Sequence, residues 1–240
     1  MGMQKSSWNR KPEALHFRDG WRALMALRRD PDDTGKVFEL IRALSGGCGR
    51  RAFLRFQATP MGRQILEEKR DLIDPLSDRA ALARMPEGSL GHRYFAFTEK
   101  EQIRPDGLIE ASEQTPIDPD VPEDGRRFFE RLREMHDLEH VVTGYGRDLR
   151  GEVSVLTLDL AQQWHHGIAA IVALVLVEAT NVERRLIRAA WRRGRKAAWL
   201  STADWEALLP RPLEEVRAEL DLGAPPVYEP LRSAGAPAVG

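Results

Sequence analysis

The sequence predicts an all-α protein built as a single multi-helix domain. Apolar residues recur three and four positions apart over most of the chain, which is the spacing of one helix face. No stretch carries a strong strand pattern, and Pro and Gly divide the apolar segments at intervals suited to helices. We expect a polar N-terminal tail over 1–16, a helical core over 17–222 and a C-terminal tail rich in Pro and Ala over 223–240.

Several short helices are predicted in the first hundred residues. Ser89 is the expected N-cap of one of them, because its hydroxyl can accept a hydrogen bond from the first turn. That helix carries Tyr94, Phe95 and Phe97. The apolar stripes that predict the preceding helices are Trp21–Leu27, Val37–Leu44, Phe53–Phe56, Met61–Leu66 and Leu76–Met85.

Two longer helices are predicted further along, from about Glu123 to Thr143 and from about Asp148 to Val177. The proline-containing stretch 104–124 before them is either a plain connector or a lid over a site. The segment Ile168–Val177 is apolar all round, so we expect it to be buried in a core, in a dimer interface or against lipid. A short final helix follows Pro212.

Composition excludes several classes of protein. The chain has 240 residues, 42% of them hydrophobic, which is enough to bury a core. The net charge of -1 argues against a chain that binds nucleic acid through its overall charge. A single cysteine, Cys48, rules out an internal disulfide framework and a cysteine-based zinc cluster. The first residues, Met1–Lys11, have no apolar segment typical of a signal peptide, and the ten residues Ile168–Val177 are too few to span a bilayer.

The sequence from His136 to Glu152 predicts a metal site. His136 and His140 are four residues apart, one helical turn, and can share an ion. Asp137 lies about 100° round the helix from His136 and reaches the same ion only from the side. Glycines between His140 and Glu152 predict a break that joins two antiparallel helices and returns Glu152 to the histidines. Such nitrogen and oxygen ligands suit zinc, iron or manganese.

Further polar residues surround the predicted ligands. Glu139 is either a hydrogen-bond partner of a ligating imidazole or a solvated side chain. Asp159, Gln163 and His166 continue along the same helix face as Glu152, by steps of three and four residues. This polar line either borders a substrate pocket or is a solvated face.

The motif HDxxH-x11-E resembles that of the coenzyme Q biosynthesis protein four family. In this chain it consists of His136, Asp137, His140 and Glu152. Other segments that resemble the family, in the family's order, are Pro86–Gly91, Gly151–Val153, Gly194–Ala197, Trp205–Glu206 and Pro212–Val216. The likeness covers roughly residues 20 to 222. Where the family typically has Gly and Pro, this chain has Trp164 and His166, a departure that affects the expected pocket but not the ligands.

This resemblance implies a function in ubiquinone biosynthesis. It implies zinc at the four motif residues and decarboxylation, with or without hydroxylation, at C1 of a polyprenylated hydroxybenzoate. The alternative that it implies is a scaffold that binds a polyprenyl lipid and gathers the other pathway enzymes at the membrane. The expected location is cytoplasmic and peripheral to the inner membrane, and the expected assembly is a homodimer.

The basic stretch 181–196 carries seven Arg and Lys residues between Arg184 and Lys196, with Trp191 among them. Such a helix either contacts an anionic membrane surface or a pyrophosphate, or is an ordinary solvated face. Two other metal-enzyme classes fit poorly. A His-Asp phosphohydrolase separates its histidines more widely along the chain, and a di-iron carboxylate bundle needs paired Glu-x-x-His motifs that are absent here.

Overall fold

The protein is all-helical in the computed structural model, which describes residues 14–30, 33–103 and 117–231. The predicted fold class is confirmed for those residues: no strand occurs among them, only an isolated bridge between Ser89 and Pro212. The α-helices, numbered α1 to α14 in chain order, are Phe17–Arg29, Thr34–Ala43, Cys48–Ala58, Pro60–Glu67, Ile73–Ser77, Arg79–Arg84, Leu90–Lys100, Glu123–Glu134, His136–Thr143, Leu149–Gln162, His166–Glu178, Asn181–Lys196, Trp205–Leu208 and Leu213–Glu219.

Helix starts follow from local side-chain chemistry. Ser89 accepts a hydrogen bond from the His92 backbone N–H, so the predicted N-cap of α7 is confirmed. Asp148 caps α10 in the same way, accepting from the N–H groups of Arg150 and Gly151. These caps satisfy backbone donors that would otherwise have no partner within the helix.

The main hydrophobic core lies beside α9. Trp205 and Tyr94 are among its fully buried side chains, and Leu138 and Val142 of α9 pack into the same cluster. A second cluster joins Phe53 and Phe56 of α3 to Phe128 of α8. The helix that carries the predicted ligands is therefore anchored by its apolar residues, which fixes the direction of its polar ones.

The two long predicted helices are each divided. The first breaks at Met135, between α8 and α9. The second breaks after Gln162, because Gln163 and His165 are extended and the His165 side chain caps α11. The segment Ile168–Val177 is only partly covered by the described part of the chain itself. Val172 is buried, but Val177 at the end of α11 is 75% exposed. The core of one chain therefore does not bury the whole segment, and burial in a dimer interface or against lipid stays a prediction.

The C-terminal stretch begins with a packed segment, residues 224–231, where the sequence predicted a tail. The Tyr228 hydroxyl donates to Asp148 Oδ2 at 2.8 Å and accepts from the Gly146 N–H at 2.8 Å. The Leu149 backbone N–H donates to the Leu231 carbonyl oxygen, and the Leu231 N–H donates to Asp148 Oδ1. This segment, which we call the strap, therefore binds the turn between α9 and α10.

Two other predictions concern residues that are only partly described. Residues 1–13 of the expected N-terminal tail and 104–116 of the expected lid lie outside the described ranges. Val121, in the described part of the expected lid, is buried in the second core cluster. Within the described ranges, every helix is too short or too polar to cross a lipid bilayer.

Candidate metal centre

The turn between α9 and α10 depends on glycine. Helix α9 ends at Gly144, whose φ of 74° is a left-handed conformation that glycine adopts without strain. A Cβ atom on Gly151 would lie 1.8 Å from the backbone oxygen of Gly146, so only glycine allows this close approach. As a result α10 begins beside the end of α9, and Glu152 in its first turn faces the histidines of α9.

Three ligand atoms converge at this hairpin. His136 Nε2 lies 3.3 Å from His140 Nε2, and each lies 3.4 Å from Glu152 Oε2. Zinc bonds of about 2.1 Å in tetrahedral geometry separate neighbouring ligand atoms by about 3.4 Å. The triangle in this protein has the same edge length, so the three side chains could hold one such ion with little adjustment.

The second histidine is fixed in a ligating orientation. His140 is buried, and its Nδ1 lies 3.1 Å from the backbone carbonyl oxygen of Tyr145. A carbonyl oxygen only accepts hydrogen bonds, so Nδ1 carries the proton and Nε2 presents a lone pair to the triangle. The ring of Phe97 stacks on the imidazole with centroids 5.9 Å apart, which further restricts its rotation.

One side of the triangle is open. The side chains of His136 and Glu152 are each 31% exposed, whereas His140 closes the inner side. Three protein ligands with access from outside match catalytic zinc sites, which keep one coordination position for water or substrate.

In the absence of an ion, His136 and Glu152 form a charged pair, and a bound ion would replace the proton on His136. Burial disfavours the imidazolium of His136, but the carboxylates of Glu139 and Glu152 outweigh this effect and raise the pKa of His136 well above its ordinary value. Burial would raise the pKa of Glu152, yet His140 and His136 lower it well below its ordinary value. Without an ion, the pair is therefore an imidazolium and a carboxylate.

Asp137 faces another part of the core. It is buried, and its Oδ2 atom has no hydrogen-bond partner among the described residues. Together with burial, its negative charge raises the pKa of Tyr94. Its position about 100° round the helix from His136 explains why it does not join the triangle. A ligand role for Asp137 stays a prediction. The other three residues converge without it.

The polar line on α10 separates in the structure. Asp159 lies near Glu139 and the Nδ1 edge of the His136 ring. Ligand atoms of these three residues lie within 4.8 Å of one another. Gln163 follows the end of α10, and its Oε1 atom is buried with no partner among the described residues. His166 belongs to α11, and its Nδ1 lies 3.1 Å from Cys48 Sγ.

Arg147 is a site residue that the sequence pattern did not reveal. Its Nε donates to Glu152 Oε1 at 3.4 Å, and its side chain is 39% exposed. It lies in the glycine-rich turn, where no helical periodicity indicates a direction. The only available signal was its place five residues before the predicted ligand Glu152.

The sequence was also compared with known protein families. The family model described as coenzyme Q (ubiquinone) biosynthesis protein Coq4 matches residues 23–226. The chain belongs to the Coq4 family. The resemblance inferred from the spaced motif is thereby confirmed at the level of the family.

Curated members of the Coq4 family are similar to this chain over most of its length. The mitochondrial ubiquinone biosynthesis protein COQ4 of Eremothecium gossypii is 32% identical over 202 residues, which cover 82% of this chain and 61% of that protein. The mitochondrial homologue from Rattus norvegicus is 29% identical over 189 residues, covering 76% and 69%. The chain spans about three fifths of the length of the first of these relatives.

A solved structure supports the fold. The crystal structure of a protein assigned provisionally to ubiquinone biosynthesis, from Nostoc punctiforme PCC 73102, matches with a TM-score of 0.66. The match covers 88% of this chain and all of that one, at 21% identity. At this identity the likeness establishes the helical architecture alone.

Proposed function

We propose that this member of the Coq4 family is a metal-dependent lyase that removes the C1 carboxylate of a polyprenylated hydroxybenzoate. The observation that carries the proposal is the triangle of His136, His140 and Glu152 ligand atoms with one open side. Zinc is the ion we expect from these ligands, and iron or manganese would also accept them.

The residues fit this reaction because they can hold an anionic aromatic substrate at the open side of the triangle. A divalent ion supplies a Lewis acid that stabilises the charge developing as carbon dioxide leaves. Arg147, beside Glu152, can pair with the substrate carboxylate. Phe97 closes the inner side by packing on His140. An oxidative form of the reaction would need iron, manganese or an external oxidant, because zinc has no redox chemistry.

We further propose that the protein acts at the surface of the inner membrane, where a polyprenylated substrate resides. Helix α12 exposes Arg184, Arg185, Arg188, Trp191 and Arg192. Arginines with an interfacial tryptophan are typical of helices that lie on anionic lipid. The apolar end of α11 is exposed nearby in sequence, at Val177. These features support contact with lipid, with a second copy of the chain in a homodimer, or with other ubiquinone biosynthesis enzymes.

The alternative is a scaffold without turnover. The basic surface of α12 and the exposed apolar end of α11 favour it, because both would serve lipid binding without any chemistry. A metal at the hairpin would then only stabilise the fold. The open side of the triangle favours the enzyme, since structural zinc sites are usually closed by four protein ligands.

The deciding experiment uses purified protein loaded with zinc, iron or manganese and a hydroxybenzoate that carries a short prenyl chain. We expect release of carbon dioxide and formation of the decarboxylated ring, both lost in Glu152→Gln. His92→Ala, on α7, is the matched histidine control and should retain turnover. Binding to anionic vesicles without turnover for any of the three ions would instead support the scaffold.

A further inference from the structure

The hairpin concentrates more negative charge than one divalent ion can balance. Helices α9 and α10 bring together four carboxylates, those of Asp137, Glu139, Glu152 and Asp159. One divalent ion at the triangle balances two of these charges. Buried carboxylates without a positive partner are costly, so the remainder must be neutralised in some way.

The two ring nitrogens of His136 face different groups of ligands. Nε2 faces His140 and Glu152, as described above. Nδ1 faces Glu139, with 3.8 Å between Nδ1 and Oε2. Asp159 completes this second group, whose ligand atoms lie within 4.8 Å of one another. His136 is therefore shared by two clusters on opposite edges of its ring.

The distance in the second group fits an ion better than a hydrogen bond. A separation of 3.8 Å is too long for a hydrogen bond between Nδ1 and a carboxylate. Two ligand atoms bonded to one ion at about 2.1 Å lie about 3.8 Å apart when the angle at the ion is about 130°. The spacing thus leaves room for a cation between the imidazole and the carboxylate.

The carboxylate of Glu139 provides an independent indication of a missing ligand. Glu139 is 1% exposed, and its Oε1 atom has no hydrogen-bond partner in the described part of the chain. Ion pairs of Glu139 in that part involve His136 and no Lys or Arg.

We infer that Glu139, Asp159 and Nδ1 of His136 form a second divalent-cation site, so that the His136 ring lies between two ions. This inference rests on the proposed metal centre at the triangle. The expected ion is of the same class, zinc or manganese, since the ligands are one nitrogen and two carboxylates. Binding of the second ion releases the remaining ring proton, on Nδ1, to solvent, so His136 bridges the two ions as an imidazolate. The charges of the imidazolate and the four carboxylates are then balanced by two divalent ions together with Arg147, which pairs with Glu152.

The test is the stoichiometry of zinc bound to metal-free protein, measured by calorimetric titration with ZnCl₂ and by elemental analysis after dialysis. We expect two ions per wild-type chain. His140→Ala should lose only the ion at the triangle, whereas Asp159→Asn and Glu139→Gln should lose only the second. His136→Ala should weaken both. Glu134→Gln alters a buried glutamate of α8 that accepts a hydrogen bond from the Ile73 N–H and is a member of neither cluster, so it is the matched control and should keep two ions.

Each outcome separates the two proposals. No bound zinc in folded wild-type protein would overturn both the metal centre and this inference. One ion that is lost in His140→Ala but unaffected by Asp159→Asn and Glu139→Gln would leave the metal centre standing and overturn the second site. Because the wild-type count alone distinguishes one ion from two, the result does not depend on the folding of any variant.

Discussion

Replacing Gly151 by alanine should weaken metal binding without touching a ligand. The new Cβ atom would lie 1.8 Å from the Gly146 carbonyl oxygen, 2.7 Å from its carbonyl carbon and 2.8 Å from the Tyr228 hydroxyl. The first contact is about 1.6 Å shorter than an ordinary one, and backbone atoms cannot rotate away as a flexible side chain can. The turn and α10 must therefore move apart.

The displacement bears directly on Glu152, the next residue in α10. Metal–ligand distances tolerate only about 0.2 Å, so a shift of more than 1 Å removes the carboxylate from the triangle. We expect zinc affinity to fall by at least ten- to a hundredfold, the range seen when ligand orientation is disturbed. Overpacking should also lower the free energy of unfolding by about 1–3 kcal/mol.

The assay is zinc affinity by competition with a chelator, together with denaturant unfolding. Gly35→Ala in α2 is the matched control, because among the described atoms its Cβ would approach the carboxylate oxygen of Asp33, at 3.2 Å, rather than backbone. That change should leave zinc affinity unaltered, and the gain expected for alanine in a helix is set against a small shift of the Asp33 cap. A folded Gly151→Ala protein that binds zinc as tightly as the wild type would refute the role assigned to the turn.

Three further predictions follow from the same structure. Because the pKa of His136 is raised and its proton must leave before an ion binds, zinc affinity should fall about tenfold for each unit by which pH is lowered below that pKa; a dissociation constant independent of pH would contradict this. Tyr228→Phe should cost about 1 kcal/mol in denaturant unfolding, since the Gly146 N–H and Asp148 lose a partner; unchanged stability would argue against the strap. Burial raises the pKa of Glu134 to about 7, so the neutral acid is favoured in the folded state and stability is lost as pH rises from about 4.5 through 7. Glu134→Gln should remove about 3 kcal/mol of this loss by pH 8. The measurement is the free energy of unfolding of wild type and variant across this pH range, and a difference between them that does not change with pH would contradict the assignment.

Local rules were sufficient for the fold class and the main features of the hairpin. The 3.6-residue period, the Ser89 cap and the glycines before Glu152 are all readable in the sequence. Two histidines one turn apart share a helix face in any α-helix, so their convergence required only that the helix form. The side-on position of Asp137 also followed from helix geometry, and its carboxylate lies away from the triangle.

Other features depended on tertiary contacts that no local pattern encodes. The break at Gln163–His165 separates Asp159 from His166, although the spacing of the polar line continues through it. Asp159 lies near His136 and Glu139 because α10 packs back along α9, so that a residue two turns after Glu152 meets the first turn of α9. The strap is held by backbone hydrogen bonds and by Tyr228, and a segment rich in Pro and Ala has no periodicity that would predict either.

The central claim is that His136, His140 and Glu152 bind one catalytic ion. The most direct measurement is a crystal structure of the zinc-loaded protein with anomalous scattering recorded at the zinc edge. We expect a peak about 2.0–2.2 Å from Nε2 of both histidines and from a carboxylate oxygen of Glu152, with a fourth position held by water. A peak elsewhere, or an ion at the triangle fully enclosed by four protein ligands, would contradict it.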